Sequence, residues 1–281
     1  MKKTLIILIT FSLSLSAQSL SLYKSFGNFK DAAAFDIDLN GNIYVSDKKE
    51  NTIYKLDSLG NEKNNVGGYG WIESEFDEPI DIFTNTLSVY IADKNNNRIQ
   101  RFDKDLNFLS QYSGTDKSNQ IIEFGYPICV IISSLSDLFI LDSDNNRILK
   151  FNLDGKFIAE FGGNDAGVYS IVNPKNFTTD SFGNIYVLDQ NNIKVFDQYG
   201  NGLFKFKPFI EPDKININDN ELLVFNKNML GIYDLTANKL ILKINYFPNM
   251  NKKEHLIDAE LHEGKLFILT ENKIYVYKII N

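Results

Sequence analysis

One pattern returns six times along this chain: an apolar, strand-length run ending in a polar anchor, a short polar loop, and a second apolar run. It reads Ile43-Tyr44-Val45-Ser46-Asp47 with Ile53-Tyr54-Lys55-Leu56, then Val89-Tyr90-Ile91-Ala92-Asp93 with Arg98-Ile99-Gln100-Arg101-Phe102. The third copy is Leu138-Phe139-Ile140-Leu141-Asp142 with Arg147-Ile148-Leu149-Lys150-Phe151, and the fourth is Ile185-Tyr186-Val187-Leu188-Asp189 with Ile193-Lys194-Val195-Phe196. Two looser copies end at Asn226 and Thr270, so the anchors Asp47, Asp93, Asp142, Asp189, Asn226 and Thr270 follow one another at intervals of 37 to 49 residues. A self-similar period of that length, made of short strands, is the mark of radially repeated sheets. The predicted fold is all-β: a six-bladed β-propeller of four-stranded antiparallel blades.

Local chemistry agrees. The runs are rich in β-branched and aromatic residues and are bounded by Gly, Asn, Asp or Pro, as strands are. Ile185-Tyr186-Val187-Leu188 is apolar at odd and even positions alike, which suits a strand buried on both faces between neighbouring blades. Asn40-Gly41-Asn42 and Phe182-Gly183-Asn184 supply tight hairpin turns. Pro79, Pro127, Pro174 and Pro212 each precede a new innermost strand, where no ladder donor is yet required. The last copy lacks an outermost strand, whereas Leu20-Ser21-Leu22-Tyr23-Lys24-Ser25-Phe26-Gly27 resembles the outer strands of other copies. That N-terminal fragment is expected to pair with Ile274 to Ile279 and close the ring, which would otherwise leave a bare sheet edge.

These residues resemble the NHL-repeat family of β-propellers. Copies two and three carry the pattern best, with Asp93, Asn96, Asn97, Arg98, Ile99 and Phe102, and with Asp142, Asn145, Asn146, Arg147, Ile148 and Phe151; Phe157 to Gly162 adds the Phe-x-x-x-Phe-Gly ending of an outer strand. Copy one has Thr52 in place of the arginine, copy four is shorter before Ile193, and copies five and six lose both the Asp and the Arg. The resemblance spans roughly Leu20 to Asn281. It implies an interaction platform; animal members that bind RNA use a basic face.

Residues 1–17 read as a secretory signal peptide: Lys2 and Lys3 precede the apolar stretch Leu5 to Leu15, and Ser14, Ser16 and Ala17 offer a cleavage region. The apolar stretch is too short to span a bilayer. Residues 18–281 are then one propeller domain, not membrane-spanning and extracytoplasmic, periplasmic or secreted. The formal charge of −7, more negative still without Lys2 and Lys3, repels nucleic acid in the absence of any basic run. Cys129, the only cysteine, lies in the apolar run Ile128 to Ile132 and reads as a core residue; no intrachain disulfide is available.

No residue set makes a catalytic centre, and no cofactor or metal is expected. Asp36-Ile37-Asp38-Leu39-Asn40-Gly41, with Asp47 beyond it, imitates a calcium loop, but its counterpart Thr178 to Asn184 keeps the hairpin and not the ligand set. Asp93 with Arg98 and Asp142 with Arg147 read as structural clasps. His255 and His262 are too few for a three-histidine zinc site. The expected function is therefore a non-enzymatic binding platform for a protein, peptide or glycan, working through the rim where inter-blade connections emerge. The long connections Asn61 to Glu78, Gly114 to Tyr126, Gly162 to Asn173 and Phe247 to Leu256 carry the candidate ligand-binding residues Tyr69, Trp71, Glu73, Glu75, Tyr126, Tyr169 and His255, since exposed aromatics are common contact anchors. The alternative is a propeller hydrolase or lactonase with one divalent ion in the central channel, which needs Glu, Asp and Asn oxygens from several blades about 2.3 to 2.6 Å from a calcium.

Overall fold

The computed structural model describes residues 19–114 and 122–280, so the leader-like segment 1–17 lies outside the described residues. These form six four-stranded antiparallel sheets. In the first five, consecutive strands pair in chain order from the innermost outward; blade two runs Pro79–Thr84, Ser88–Asp93, Arg98–Asp103 and Phe108–Tyr112. The sixth is built from both ends of the chain: Asp258–His262, Lys265–Leu269 and Ile274–Ile280 are completed by the N-terminal strand Ser19–Phe26.

The closing strand pairs with the expected segment, Leu20 opposite Ile279, Leu22 opposite Tyr277, Ser25 opposite Tyr275 and Phe26 opposite Ile274. A bulge between Leu22 and Lys24 turns Tyr23 out of the ladder, where its ring takes the Lys278 ammonium at 4.9 Å. Leu20 and Leu22 pack on the apolar layer between blades five and six, and Phe26 on the layer between blades six and one. Lys24 donates to the Ser58 carbonyl of blade one. Gly60, in the same blade-one turn at φ +92°, leaves room for the Phe26 ring that a Cβ would strike. Without the strand, the last blade would lose both its outer edge and these contacts.

Six apolar clusters lie one between each pair of adjacent blades. This is why second strands such as Ile185–Asp189 are buried along their whole length: each face meets a neighbouring blade. Outer strands need no such apolar content. Asn61 to Glu78, expected as one long connection, in fact opens with the outer strand of blade one, Glu62–Gly67, whose residues are almost all exposed. Among the described residues, no helix is long and apolar enough to cross a membrane, and a three-residue turn of 3-10 helix, Gly167–Tyr169, is the one helical element.

Innermost strands have one edge that faces the channel and meets no further strand, so its backbone groups need other partners. Side chains supply them, each reaching from one blade to the next. Asp36 accepts from the Thr84 N–H, and the Asp81 carboxylate from the Val130 N–H at 3.0 Å. The Cys129 thiol donates to the Phe177 carbonyl at 3.3 Å, and Asn176 brackets Ile215, accepting from its N–H at 3.1 Å and donating to its carbonyl at 2.7 Å. Asn216 donates to the Ala259 carbonyl at 3.3 Å, and Asp258 accepts from the Phe35 N–H at 3.4 Å. All six interfaces are stitched in this way. Cys129 is thus buried as expected and also part of the channel wall.

Candidate functional site

The rim is organised by the second-to-third-strand turns. In blade two, Asn97 sits at φ +51°, a left-handed position that asparagine tolerates better than most residues, and the turn reaches two separate connections. Asn96 donates to the Gly70 carbonyl at 2.8 Å, while the Asn97 amide oxygen accepts from the Tyr126 N–H at 2.8 Å. Arg98 is 5% exposed and holds Asp93 through Nε at 2.7 Å. Its remaining donors run along the connection from blade one: Nη1 to the Trp71 carbonyl at 2.7 Å, Nη2 to the Ile72 and Glu75 carbonyls at 2.9 Å each. Gln100 adds a bond from Nε2 to the Glu75 carbonyl at 2.7 Å and accepts from the Ser74 N–H at 3.0 Å. Phe76, fully buried against Phe102 with centroids 6.0 Å apart, anchors the far end.

The expected Asp93–Arg98 clasp is therefore present but serves more than its own blade: it fixes the backbone of residues 70–76. What that backbone presents is apolar. Tyr69 is 70% exposed, Trp71 74% and Ile72 60%. Glu73 is exposed as well, and Glu75 is half-buried, with its carboxylate accepting from the Ile72 N–H at 3.4 Å. Tyr126 is 46% exposed and hangs from the same blade-two turn. Tyr69, Trp71, Glu73 and Tyr126 thus occur on two loops tied to one turn; Ile72 belongs with them and was not singled out from the sequence. The glycine-rich run Gly67-Gly68-Tyr69-Gly70 is bridged through Tyr69 to Phe76. Tyr169 and His255 stand apart. The Tyr169 ring is half-buried against Phe196, 5.9 Å between centroids, and fills the space left by Gly202, and His255 is exposed on the connection between blades five and six.

Blade three repeats the clasp, Arg147 Nε to Asp142 at 2.9 Å, with Nη2 donating to the Glu123 carbonyl at 2.7 Å. In blade four a lysine replaces it: Lys194 reaches Asp189 at 2.6 Å and also donates to the Ser170 carbonyl. Lys194 pairs with Val187 as Gln100 pairs with Ile91, while Asn192 holds the place of Arg98, so the substitute comes from two residues further along the strand. The calcium-like loop is a turn, as its counterpart suggested. Asp38 accepts from the Asn40 and Asn42 N–H groups at 2.9 Å each, and Asp180 accepts from Phe182 and Asn184 at 2.9 and 2.8 Å.

The channel holds a second grouping that was not read from the sequence. Asp36, Asp81, Asp258 and Glu260 all line it, with Lys214 among them. Lys214 donates to Asp258 at 2.5 Å and lies 3.6 Å from Asp81 in blade two, on the opposite side of the ring. Burial alone would discharge this lysine, but Asp258 and Asp81 override it and hold its pKa well above the ordinary value. Burial raises both aspartates in turn, with Lys214 opposing. Asp36 is pushed up to about 7, first by burial and then by Asp81 and Asp258. Glu260 rises well above its usual range through burial and the charges of Asp36 and Asp258. Among the described residues, no three His, Cys, Asp or Glu side chains converge in an arrangement that could hold a metal ion.

Six four-stranded blades about a polar channel define the chain as a six-bladed β-propeller. No family model matches it. Over 143 residues, half of its length, the chain is 30% identical to Protein brain tumor of Drosophila melanogaster, and it spans 13% of that protein. Its fold superimposes on virginiamycin B lyase from Staphylococcus aureus with a TM-score of 0.63, over 94% of this chain and 100% of that one, at 15% identity. A catalytically inactive histidine-to-alanine variant of a Staphylococcus aureus virginiamycin B lyase, solved with quinupristin, gives 0.59 over 89% and 80% of the two chains at 18% identity. A streptogramin B lyase gives 0.62 over 93% and 98% at 15% identity. At such identities the likeness is one of fold.

Proposed function

We propose that this propeller is an exported binding platform that docks a protein or peptide on the rim of blades one to three. The observation that carries the reading is the rigid presentation of Trp71 and Ile72: both side chains face solvent while their carbonyls are held by the buried Arg98 guanidinium. An aromatic anchor on a backbone already fixed loses little conformational entropy when it is engaged. Glu73 and Glu75 flank the pair, so the matching surface is apolar at its centre and cationic at its edge. The leader-like residues 1–17 support an extracytoplasmic place of work.

Trp71 is the only tryptophan of the chain, which makes its fluorescence a direct reporter. The chain from residue 18 onward, immobilised, is used to capture partners from its native envelope fraction, and the captured species is titrated against the free protein. The reading requires a blue shift of Trp71 emission on binding and at least a tenfold weaker complex with Trp71→Ala, the loss typical of a hot-spot residue. A partner that binds Trp71→Ala as tightly as the parent would place the docking surface elsewhere.

A further inference from the structure

Of the charged groups that line the channel, Asp36, Asp81, Asp258 and Lys214 each have a partner in the fold, and one carboxylate oxygen of Glu260 has none. Asp36, Asp81 and Asp258 accept backbone N–H groups of the next blade, and Lys214 neutralises the Asp81–Asp258 pair. Glu260 is 4% exposed, and its Oε2 has no hydrogen-bond partner although it is fully buried. A carboxylate oxygen so placed is costly to leave unmatched. It lines a cavity of about 220 Å³ in the channel.

Strand registers show what surrounds it. Leu269 faces Asp258 as Phe225 faces Lys214 and Ala92 faces Asp81, which sets these three residues on one level of the channel wall. Two residues further along each inner strand, the next level is formed by Asp36, Phe83, Ile131, Thr178, Asn216 and Glu260. The upper level thus has two carboxylates and a built-in ammonium. The lower level has two carboxylates, Asp36 and Glu260, with no cation, and faces them with the apolar Phe83 and Ile131. Asp36, Phe83 and Asn216 are partly exposed, so this level communicates with solvent.

We propose that the lower level of the channel is a binding site for a compact primary alkylammonium ion, its three N–H donors met by Asp36 and Glu260 and its hydrocarbon by Phe83 and Ile131. The cavity is below the roughly 300 to 1,000 Å³ of sites for drug-sized ligands, which limits the ligand to a short chain. An ammonium head suits two carboxylates, as Lys214 shows one level above, whereas calcium takes six to eight oxygens. This site is independent of the rim.

In the absence of a ligand, Asp36 and Glu260 hold a proton between them because burial and mutual repulsion disfavour two charges. The groups that face them are Asp81, Asp258, Lys214 and Cys129 above and Lys104, which acts on Asp36 from its other side. An incoming ammonium takes the place of that proton, so binding releases it and tightens as pH rises toward about 7.

Calorimetric titration of the chain from residue 18 onward with n-butylammonium chloride tests this, at about pH 6 and about pH 8 and in two buffers of different ionisation enthalpy. Saturable binding, proton release at the lower pH, at least tenfold weakening in both Glu260→Gln and Asp36→Asn, and no binding of tetramethylammonium, which has no N–H donor, are the expected results. Trp71→Ala should bind the amine unchanged, which separates this site from the rim. No saturable binding, equal affinity in either acid variant that retains its native near-ultraviolet dichroism, or displacement of the amine by calcium at lower concentration would overturn the proposal.

Discussion

Lys214 and the acids around it decide how the channel responds to pH. Asp36, pushed up to about 7 mainly by burial, keeps its proton in the folded chain at pH values where the unfolded chain has already released it. Its stabilising contribution is therefore complete below the ordinary aspartate range and is lost as pH rises to about 7. Urea unfolding of Asp36→Asn, compared with the parent at about pH 5 and about pH 8, should show a smaller loss of stability on the alkaline side. A parent-like pH dependence would mean that Asp36 is not the group responsible. Lys214 works in the same sense but in a more alkaline range, since Asp81 and Asp258 keep it charged in spite of burial and its contribution is lost only as pH rises past the ordinary lysine value. The only sign of this chemistry in the sequence is a polar residue alternating with apolar ones on some inner strands, as in Phe35-Asp36-Ile37 and Ala259-Glu260-Leu261. That alternation is equally the mark of a half-exposed strand, and only the closed ring turns its polar face into a channel.

At the level of elements, anchored hairpins were the most legible feature, because their strands are buried on both faces and their turns need particular residues. Arg98 and Arg147 could be assigned as clasps of Asp93 and Asp142 from repetition alone. That Arg98 also orders the connection carrying Trp71 could not, since its partners are the backbone carbonyls of Trp71, Ile72 and Glu75, and a carbonyl leaves no trace in side-chain identity. The outer strand Glu62–Gly67 escaped for a different reason: exposed on nearly every residue, it carries no apolar period. The two arginines make an internal comparison. Arg98→Met removes a buried charge partner and several loop bonds and should cost about 3 to 5 kcal/mol. Arg147→Met should cost less, because Arg147 is more exposed, its side chain at 21% against 6%. Urea midpoints measure both, and hydrogen exchange should show faster exchange over residues 70–76 in the first variant alone. Equal costs, or an unchanged loop in Arg98→Met, would remove the clasp from the account of the rim.

As a whole molecule, the propeller depends on being a closed ring. Each apolar cluster belongs to two blades, so opening one interface exposes two faces at once, and the interfaces on either side of blade six both draw on the N-terminal strand. Leu20, Leu22 and Phe26 together bury apolar surface worth about 4 kcal/mol, which for a domain of this size corresponds to roughly 10 °C in melting temperature. The proposed rim and channel sites both presuppose this closure: Glu260 sits on the inner strand of the blade that the two chain ends share. Thermal unfolding of the chain beginning at residue 18, compared with one beginning at residue 28, tests it most directly. The expected result is a melting temperature lower by about 10 °C or more in the shorter chain, recovered on adding a peptide of residues 18–27; equal melting temperatures would contradict the closed ring.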